Sequence, residues 1–382
     1  MYKKIVITSN SSWFVANFFS SSIVEFMKNN NEVIVIAPRD INSEKLINLG
    51  CSYFDIPVCR SGINPIEELK TLFKLHCLLS TLSPDCVLNF TPKLNIYSTL
   101  VSRWLGIKVI NSIAGLGSIA SEKGLKSLLG RILFRVTQPL SDHTIFQNND
   151  DLAFYLKRKY VKPEKCSRVH GIGVELSKFK PVHSNDDGTV RFILFARMLR
   201  NKGVVDFIHA AEAVKEHYEI RSKASLATSR FEFSLLGFID EENPQGLPLS
   251  AIKYWDRNTI VSYIGETDDV FSVVKDFDCV VLPSYYREGI PHCLIESCAM
   301  AKPIITTDNV GCRETVIDSL SGYIVQPQCV PDLKQAMINM IELSHQERLA
   351  MGKQGRKKAE KDYCHIGVAK HYMHTINTIL QR

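Results

Sequence analysis

The chain has 382 residues, of which 45% are hydrophobic and 23% charged, and it carries a formal net charge of +6 at pH 7. These fractions are those of a soluble globular protein, and the length predicts two domains of ordinary size. The eleven cysteines are scattered without a CxxC pair, so they predict reduced thiols in a cytosolic protein and argue against a zinc site or a disulfide framework.

The first half alternates short apolar runs with helical patterns, and it opens on a strand pattern instead of a signal peptide. Strands are predicted at 5–9, 33–37, 52–56, 86–90, 109–112 and 144–147. Helices are predicted between them, notably at 15–29, 64–83, 95–105 and 124–138. This succession is typical of βαβ units that form a mostly parallel sheet with helices on both faces. No apolar run reaches the length that is needed to cross a bilayer.

A second series of strands follows a polar stretch at 182–188, which predicts an exposed linker. Its strands are predicted at 190–196, 231–236, 260–264, 279–283, 304–307 and 323–326. The sequence therefore predicts an α/β protein with two Rossmann-like domains, at 1–180 and 181–365, whose parallel sheets face each other across a cleft.

The most informative segment is 283–315, where a buried strand pattern leads into a turn and then into an apolar helix. In an open parallel sheet, this order places the turn at the carboxyl edge, where ligands bind. Glu288 precedes the turn, and Glu296 lies about one turn inside the helix, where it suits two ribose hydroxyls. The alternative is that both glutamates are ordinary surface carboxylates beside a core helix.

The turn and the helix start supply the rest of the predicted nucleotide-sugar site. Amides at a helix start lack partners inside the helix, and the helix dipole favours an anion, so this segment can receive a phosphate. The predicted donor-binding residues are Gly289, Ile290, Pro291, His292 and Glu296. A single histidine in this position is no proof of acid–base chemistry.

Segment 283–315 resembles the signature of retaining glycosyltransferases of family 4, which have the two-domain GT-B fold. The resemblance implies that Glu288 and Glu296 frame the donor sugar and the nucleotide ribose. It also implies that a terminal helix, at about 366–382, crosses back to the first domain. Nearly the whole chain shares the resemblance, which is most specific in the second half.

Arg197 and Lys202 flank the loop that follows the first strand of the second domain. Two cations at this edge can clamp a diphosphate and neutralise the charge that grows on a departing nucleotide. The family uses matching Arg and Lys positions in this role, so Glu288, Arg197 and Lys202 are the predicted catalytic residues. The alternative is a solvated basic loop, since Arg200 also lies there.

Asp276 and Asp278 match the Asp-any-Asp pattern with which another transferase fold holds a divalent cation. Both precede a strand and therefore belong at the amino edge of the sheet, away from the expected site. Asp268 and Asp269 are typical of carboxylates at a helix start. We expect no metal and no cofactor, with the UDP-sugar acting as a substrate.

The first domain offers two loops on the acceptor side. Lys93 follows one predicted strand, and Gly115 and Gly117 follow the next. These loops resemble segments in the subgroup that builds bacterial capsule, O-antigen and lipid-linked oligosaccharides. That subgroup usually has a histidine where this chain has Phe90. The alternative for each loop is a plain turn without a ligand contact.

The positive charge is concentrated in the first half. Residues 1–180 contain 23 Lys and Arg against 14 Asp and Glu, whereas the remaining residues contain 23 against 26. This asymmetry indicates an anionic partner for the first domain. Nucleic acid is one candidate, but no reader motif is recognisable. An anionic membrane surface and a lipid pyrophosphate fit better.

A basic amphipathic helix at 123–136 is the candidate membrane contact, through Lys126, Arg131 and Arg135. Such a helix can lie in a membrane interface. It can equally cover the sheet, with its apolar stripe in the core.

The sequence thus predicts a cytoplasmic retaining hexosyltransferase that is peripheral at the inner face of the cell membrane. It would move a hexose or N-acetylhexosamine from a UDP-sugar to a polyprenyl-diphosphate-linked saccharide, in the synthesis of a surface polysaccharide. One alternative is a sugar-nucleotide epimerase of the same fold. The other is a non-catalytic subunit that only binds nucleotide-sugar or a partner.

Overall fold

The computed structural model describes residues 2–58, 64–115, 125–223 and 230–381, with the backbone alone at 125–127 and 221–223. The chain divides into two compact units. One comprises Met1–Gly173 together with Tyr363–Arg382, and the other comprises Val174–Asp362.

The first unit contains a parallel sheet of seven strands in the order β3-β2-β1-β4-β5-β6-β7. The strands are β1 (Lys4–Thr8), β2 (Glu32–Ala37), β3 (Ser52–Asp55), β4 (Cys86–Asn89), β5 (Lys108–Ile113), β6 (His143–Phe146) and β7 (Cys166–Arg168). Six of them match the predicted strands. Strand β7 was not predicted, because its three residues are only half-buried and have no apolar pattern.

Helices cover this sheet. They are α1 (Ser12–Phe14), which continues through a π-helical turn at Val15–Phe19 into α2 (Ser20–Lys28), then α3 (Ser43–Asn48), α4 (Pro65–Leu82), α5 (Pro92–Leu105), α6 (Leu125–Thr137) and α7 (Asn149–Lys157). Helix α4 begins where its sequence predicts, since the Asn64 side chain accepts a hydrogen bond from the Ile66 amide and Pro65 occupies the first turn.

Buried polar side chains join the carboxyl ends of three neighbouring strands in the first unit. The Thr8 hydroxyl donates to Asn89 Oδ1 at 2.7 Å, and Asn89 Nδ2 donates to Asn111 Oδ1 at 2.8 Å. Asn111 Nδ2 in turn donates to Gln138 Oε1 at 3.1 Å. All four residues are fully buried. Since buried polar groups are costly unless paired, this row fixes the strand ends from which the predicted acceptor loops start.

The second unit contains a parallel sheet of six strands in the order β10-β9-β8-β11-β12-β13. The strands are β8 (Thr189–Phe195), β9 (Arg230–Leu236), β10 (Val261–Tyr263), β11 (Cys279–Leu282), β12 (Ile304–Thr307) and β13 (Gly322–Val325). All six match the predicted strands, with small shifts at their ends.

The helices of the second unit are α8 (Val204–Lys223), α9 (Leu249–Asn258), α10 (Val270–Val274), α11 (His292–Ala299), α12 (Val330–Glu342) and α13 (His345–Lys358). Helix α13 begins with a capping box, in which Ser344 and Glu347 each accept a hydrogen bond from the other's backbone amide.

The segment before β8 belongs to the second unit and is tied to it by hydrogen bonds. The Val182 amide donates to the Met300 carbonyl at 3.3 Å, and Arg356 donates to the Phe179 carbonyl at 2.9 Å. These bonds explain why the units divide after Gly173, earlier than the predicted boundary at 180.

The C-terminal helix α14 (His365–Leu380) packs on the first unit. Its Val368, Tyr372 and Ile376 are buried in the same hydrophobic cluster as Ile5 and Phe19. Among the described residues, no helix is both long enough and apolar enough to span a membrane.

Candidate active site

The candidate site is built on the loop between β11 and α11. Strand β11 is buried along its whole length, as its run of Cys, Val, Val and Leu predicts. Helix α11 begins after Pro291, which has the extended backbone of an N-cap residue, and its Leu294 and Ile295 are buried. The loop in between contains Glu288, so the predicted order of strand, turn and helix is present.

Glu288 and Lys202 form a direct ion pair, which the sequence did not predict. Lys202 Nζ lies 2.5 Å from Glu288 Oε1, and the two side chains are only 14% and 12% exposed. The Ser284 hydroxyl lies 3.1 Å from the same carboxylate oxygen. Burial lowers the pKa of Lys202, but the charge of the Glu288 carboxylate and its hydrogen bond act in the opposite direction, and the net pKa is raised above its ordinary value. Lys202 is therefore a buried lysine whose charged form is favoured by its contact with Glu288.

Arg197 is the second predicted cation, and its surroundings are different. Its side chain is 41% exposed, and its Nη1 lies 3.3 Å from Asp240 Oδ2. The positive charge of Arg197 lowers the pKa of Lys202 slightly, against the effect of Glu288. The two predicted cations thus differ in their surroundings, with Lys202 buried and Arg197 open to solvent.

Glu296 lies on the first turns of α11 beside His292. Glu296 Oε1 is 2.9 Å from His292 Nδ1, and both side chains are mostly buried. The two residues are one helical turn apart and therefore share a face of the helix. Glu296 and His292 are brought together at the helix start, where the amides of an α-helix lack internal partners.

Two cysteines lie near this segment in the chain, Cys293 in the first turn of α11 and Cys312 after β12, and Cys312 is fully buried. Burial raises the pKa of both thiols, that of Cys312 to about 12. Because the thiolate is the reactive form of cysteine, neither residue is suited to act as a nucleophile.

Asn309 holds the Glu288 loop in place, and sequence reasoning gave it no role. Its amide Nδ2 donates to the carbonyl of Tyr286 at 2.6 Å and to that of Ser284 at 3.3 Å. On the other side of the loop, the amides of Tyr285 and Tyr286 donate to the Asn201 carbonyl at 3.1 and 3.2 Å. The available signal was the position of Asn309 just after β12, at the carboxyl edge of the strand next to β11.

Replacing Asn309 with aspartate is expected to lower turnover by about tenfold, because a small displacement of a catalytic group is costly. Aspartate keeps the shape and the acceptor oxygen of the side chain but cannot donate to the two carbonyls. The matched control is Asn258→Asp, since Asn258 is an exposed amide that donates to a helix carbonyl at 2.7 Å. Steady-state kinetics and a thermal melt measure the two variants.

If Asn309 acts through Glu288, the two substitutions will not be additive. The variant Asn309→Asp should therefore change turnover much less in a Glu288→Gln background than in the wild type. Full additivity, or an equal loss in Asn258→Asp, would show that Asn309 has only a general structural role.

Two of the acidic residues considered for metal binding, Asp278 and Asp269, accept hydrogen bonds from neighbouring backbone amides. Asp278 is 4% exposed, and its carboxylate accepts hydrogen bonds from the Arg191 amide, at 2.8 Å, and from the Ser184 hydroxyl. Asp269 caps α10 by accepting from the Ser272 amide. In the part of the chain that the structure describes, no group of three or more acidic, His or Cys side chains could hold a metal ion.

The predicted acceptor-side residues lie in the first unit. Lys93 follows Thr91, whose φ of +71° is unusual for a branched residue. The Lys93 amine lies 2.5 Å from Glu68 Oε1 on α4, and both side chains are largely buried. Gly115 follows β5 with a φ of +100°, and Gly117 lies outside the described residues. An acceptor that contacts the Lys93 amine must share it with Glu68.

The predicted membrane residues lie on α6. Arg131 is half-buried and Arg135 is exposed, while Lys126 is described by its backbone alone. Two described side chains of α6 are fully buried, those of Phe134 and Thr137, each at 1% exposure.

Known proteins resemble this chain in sequence and in fold. Residues 177–358 match the family described as Glycosyl transferases group 1. The chain is 26% identical over 380 residues, 95% of its length and 96% of the relative's, to the N,N'-diacetylbacillosaminyl-diphospho-undecaprenol alpha-1,3-N-acetylgalactosaminyltransferase of Campylobacter jejuni. It is 22% identical to the capsular polysaccharide biosynthesis glycosyltransferase CapM of Staphylococcus aureus, over 89% of this chain and 88% of that protein.

Solved structures share the fold at low sequence identity. A glycosyltransferase from Rickettsia africae superposes with a TM-score of 0.78 and 15% identity, covering 100% of this chain and 99% of that one. Anabaena HepE, in complex with UDP and glucose, gives a TM-score of 0.78 and 13% identity, covering 98% and 99%. The predicted fold class, two parallel-sheet units of the GT-B type, is confirmed.

Proposed function

We propose that this chain, a glycosyltransferase with a group 1 domain at residues 177–358, transfers a hexose or N-acetylhexosamine from a UDP-sugar. The transfer retains the configuration at the anomeric carbon. The acceptor is a polyprenyl-diphosphate-linked saccharide in surface polysaccharide synthesis. The enzyme works in the cytoplasm, peripheral at the inner face of the cell membrane. The observation that carries the proposal is the buried Lys202–Glu288 pair beside the start of α11.

The relatives support the donor and acceptor classes. The name of the Campylobacter jejuni enzyme specifies an undecaprenol diphosphate acceptor, and that protein matches this chain along almost its full length. The Anabaena structure contains UDP and glucose. Two cations beside a helix start suit the diphosphate of such a donor.

In the proposed reaction, the bond between the anomeric carbon and the UDP oxygen breaks while a bond to the acceptor oxygen forms on the same face. The acceptor hydroxyl gives its proton to the departing diphosphate. Lys202 and Arg197 stabilise the negative charge that grows on that diphosphate. Glu288 lies beside the sugar, where it accepts hydroxyl hydrogen bonds and offsets positive charge at the anomeric carbon. Glu296 binds the ribose hydroxyls.

A panel of UDP-sugars, offered to purified protein with and without a membrane extract, tests this function. Donor consumption that requires the extract supports a transferase with a lipid-linked acceptor. Interconversion of the sugar nucleotide without an acceptor would indicate an epimerase. Binding of UDP-sugar with no turnover in any mixture would indicate a non-catalytic subunit.

We expect the reaction to persist in excess chelator, because the cationic pair takes the role that a divalent metal has in other transferases. Turnover is measured with EDTA and again after the addition of magnesium or manganese. Activity that is abolished by EDTA and restored by either metal would contradict this prediction and make Asp276 and Asp278 candidate metal ligands.

A further inference from the structure

Three neighbouring helices of the first unit carry large hydrophobic side chains on their outward faces. Helix α5 packs against both α4 and α6. The exposed side chains are Ile66, Leu69 and Phe73 on α4, Leu100 and Trp104 on α5, and Leu128, Leu129, Ile132 and Val136 on α6. We call this surface the α4–α5–α6 face.

These exposed side chains do not lie on the side of each helix that faces the hydrophobic core. Each helix also has a buried inner side, formed by residues such as Leu75 on α4, Val101 on α5 and Phe134 on α6. The helices are thus apolar on two sides. A concentration of exposed apolar side chains of this kind marks an interaction surface.

The distribution of exposed hydrophobic residues supports this conclusion. In the described part of the first unit, every large hydrophobic side chain that is exposed lies on this face, except for Tyr2, Ile41 and Ile366. Trp104 is 84% exposed. An indole ring has an apolar body and a polar N–H, which suits the level of lipid headgroups.

The charges on the face select an anionic partner. Helices α5 and α6 contain no aspartate or glutamate, but they contribute Arg103, Arg131 and Arg135. The two acidic residues of α4 are both paired with lysine, Glu67 with Lys70 at 2.9 Å and Glu68 with Lys93 at 2.5 Å.

We propose that the α4–α5–α6 face docks on an anionic bilayer, with Trp104 and its apolar neighbours entering the headgroup boundary and the arginines contacting lipid phosphates. The inference rests on the proposed function in one respect, since a lipid-linked acceptor requires access to a membrane. It extends the contact from α6 alone to three helices. A second copy of the chain fits less well, because a two-fold interface would place the same arginines against each other.

Sedimentation with vesicles of phosphatidylcholine and phosphatidylglycerol tests the proposal. The apolar variant replaces one residue per helix, Phe73→Ser, Trp104→Ser and Ile132→Ser. The charge variant is Arg131→Glu with Arg135→Glu. The control is Ile41→Ser, because Ile41 is 87% exposed in the same unit but lies off the face.

We expect the wild type and the control to bind anionic vesicles and to release them in high salt, which screens surface charge. The charge variant should bind roughly thirtyfold more weakly or worse, from the attraction that each basic residue contributes near a membrane. The apolar variant should also bind more weakly at low salt, where the wild type is bound.

Two outcomes would overturn the proposal. One is vesicle binding by the apolar variant that equals the wild type. The other is a wild-type dimer in analytical ultracentrifugation that the apolar variant dissociates, which would make the face a contact between copies. Transfer to a short water-soluble acceptor is measured in parallel and should survive in the apolar variant. Vesicle binding without any transferase activity in the wild type would reject the proposed function and leave the docking surface in place.

Discussion

Replacing Lys202 with alanine is expected to lower turnover by on the order of a hundredfold or more, as for the loss of a charge-stabilising group. Lys202 is a buried cation, and the negative charge of the leaving diphosphate grows toward the transition state. The loss should therefore appear in the chemical step as well as in donor affinity. Single-turnover kinetics separate the two effects.

The loss of Lys202 should also reduce stability, because it removes the Lys202 charge from beside the buried Glu288 carboxylate, at a cost of about 3 kcal/mol or more. A thermal melt is therefore needed beside the kinetics. Arg200→Ala is the matched control, since Arg200 is an exposed cation in the same turn. Near-normal turnover in Lys202→Ala, or an equal loss in Arg200→Ala, would remove Lys202 from the proposed clamp.

Titration of the Lys202 amine should not make activity depend on pH in the neutral range. The pKa of Lys202 is raised by the interaction with Glu288. A cation with a raised pKa contributes its full stabilisation below its ordinary pKa and loses it only as the pH rises through the raised value. Any titration of activity near pH 7 must therefore have another source.

Replacing Gly311 with alanine is expected to abolish most activity, with a loss on the order of a hundredfold from displacement of the Glu288 loop. Gly311 has a φ of +79°, and a Cβ there would lie 1.9 Å from the Gly289 carbonyl oxygen and 3.1 Å from that of Glu288. The added methyl group must push this backbone away. Kinetic assays and a thermal melt measure the result.

Gly188→Ala separates the steric effect from backbone strain. Gly188 has a similar φ of +77°, but a Cβ there meets no atom within 4 Å. Both substitutions therefore incur the penalty of a left-handed backbone, about 1 kcal/mol, and only Gly311→Ala disturbs the Glu288 loop. Similar activity in the two variants would contradict the proposed role of the close approach between Gly311 and Gly289.

Local sequence patterns were sufficient to predict the elements that carry the site. Buried parallel strands appear as continuous apolar runs, so β11 and β12 were recognisable. The turn between β11 and α11 followed from Gly289 and Pro291. Once this order was known, the rule that ligands bind at carboxyl edges placed Glu288 and Lys202 on the same side of one sheet.

The contacts between distant parts of the chain were not predictable in this way. Lys202 and Glu288 lie in loops that follow different strands, and their 2.5 Å contact depends on strand order and loop conformation. The role of Asn309 depends on where the carbonyls of the Glu288 loop point. Neither property has a signal in local composition or periodicity.

The α6 helix shows a second limit of sequence patterns. Its apolar stripe predicted either a core face or a membrane face, and periodicity alone does not distinguish the two. In the structure, Phe134 is buried while Leu128, Ile132 and Val136 are exposed. The burial of each residue depends on how the helix is rotated against its neighbours, which include α5.

The most direct test of the central claim is a calorimetric comparison of UDP and uridine binding to the wild type and to Lys202→Ala. If Lys202 receives the donor diphosphate, the wild type should bind UDP much more tightly than uridine, and the difference should shrink strongly in the variant while uridine binding stays the same. An unchanged difference between the two ligands in Lys202→Ala would contradict the claim.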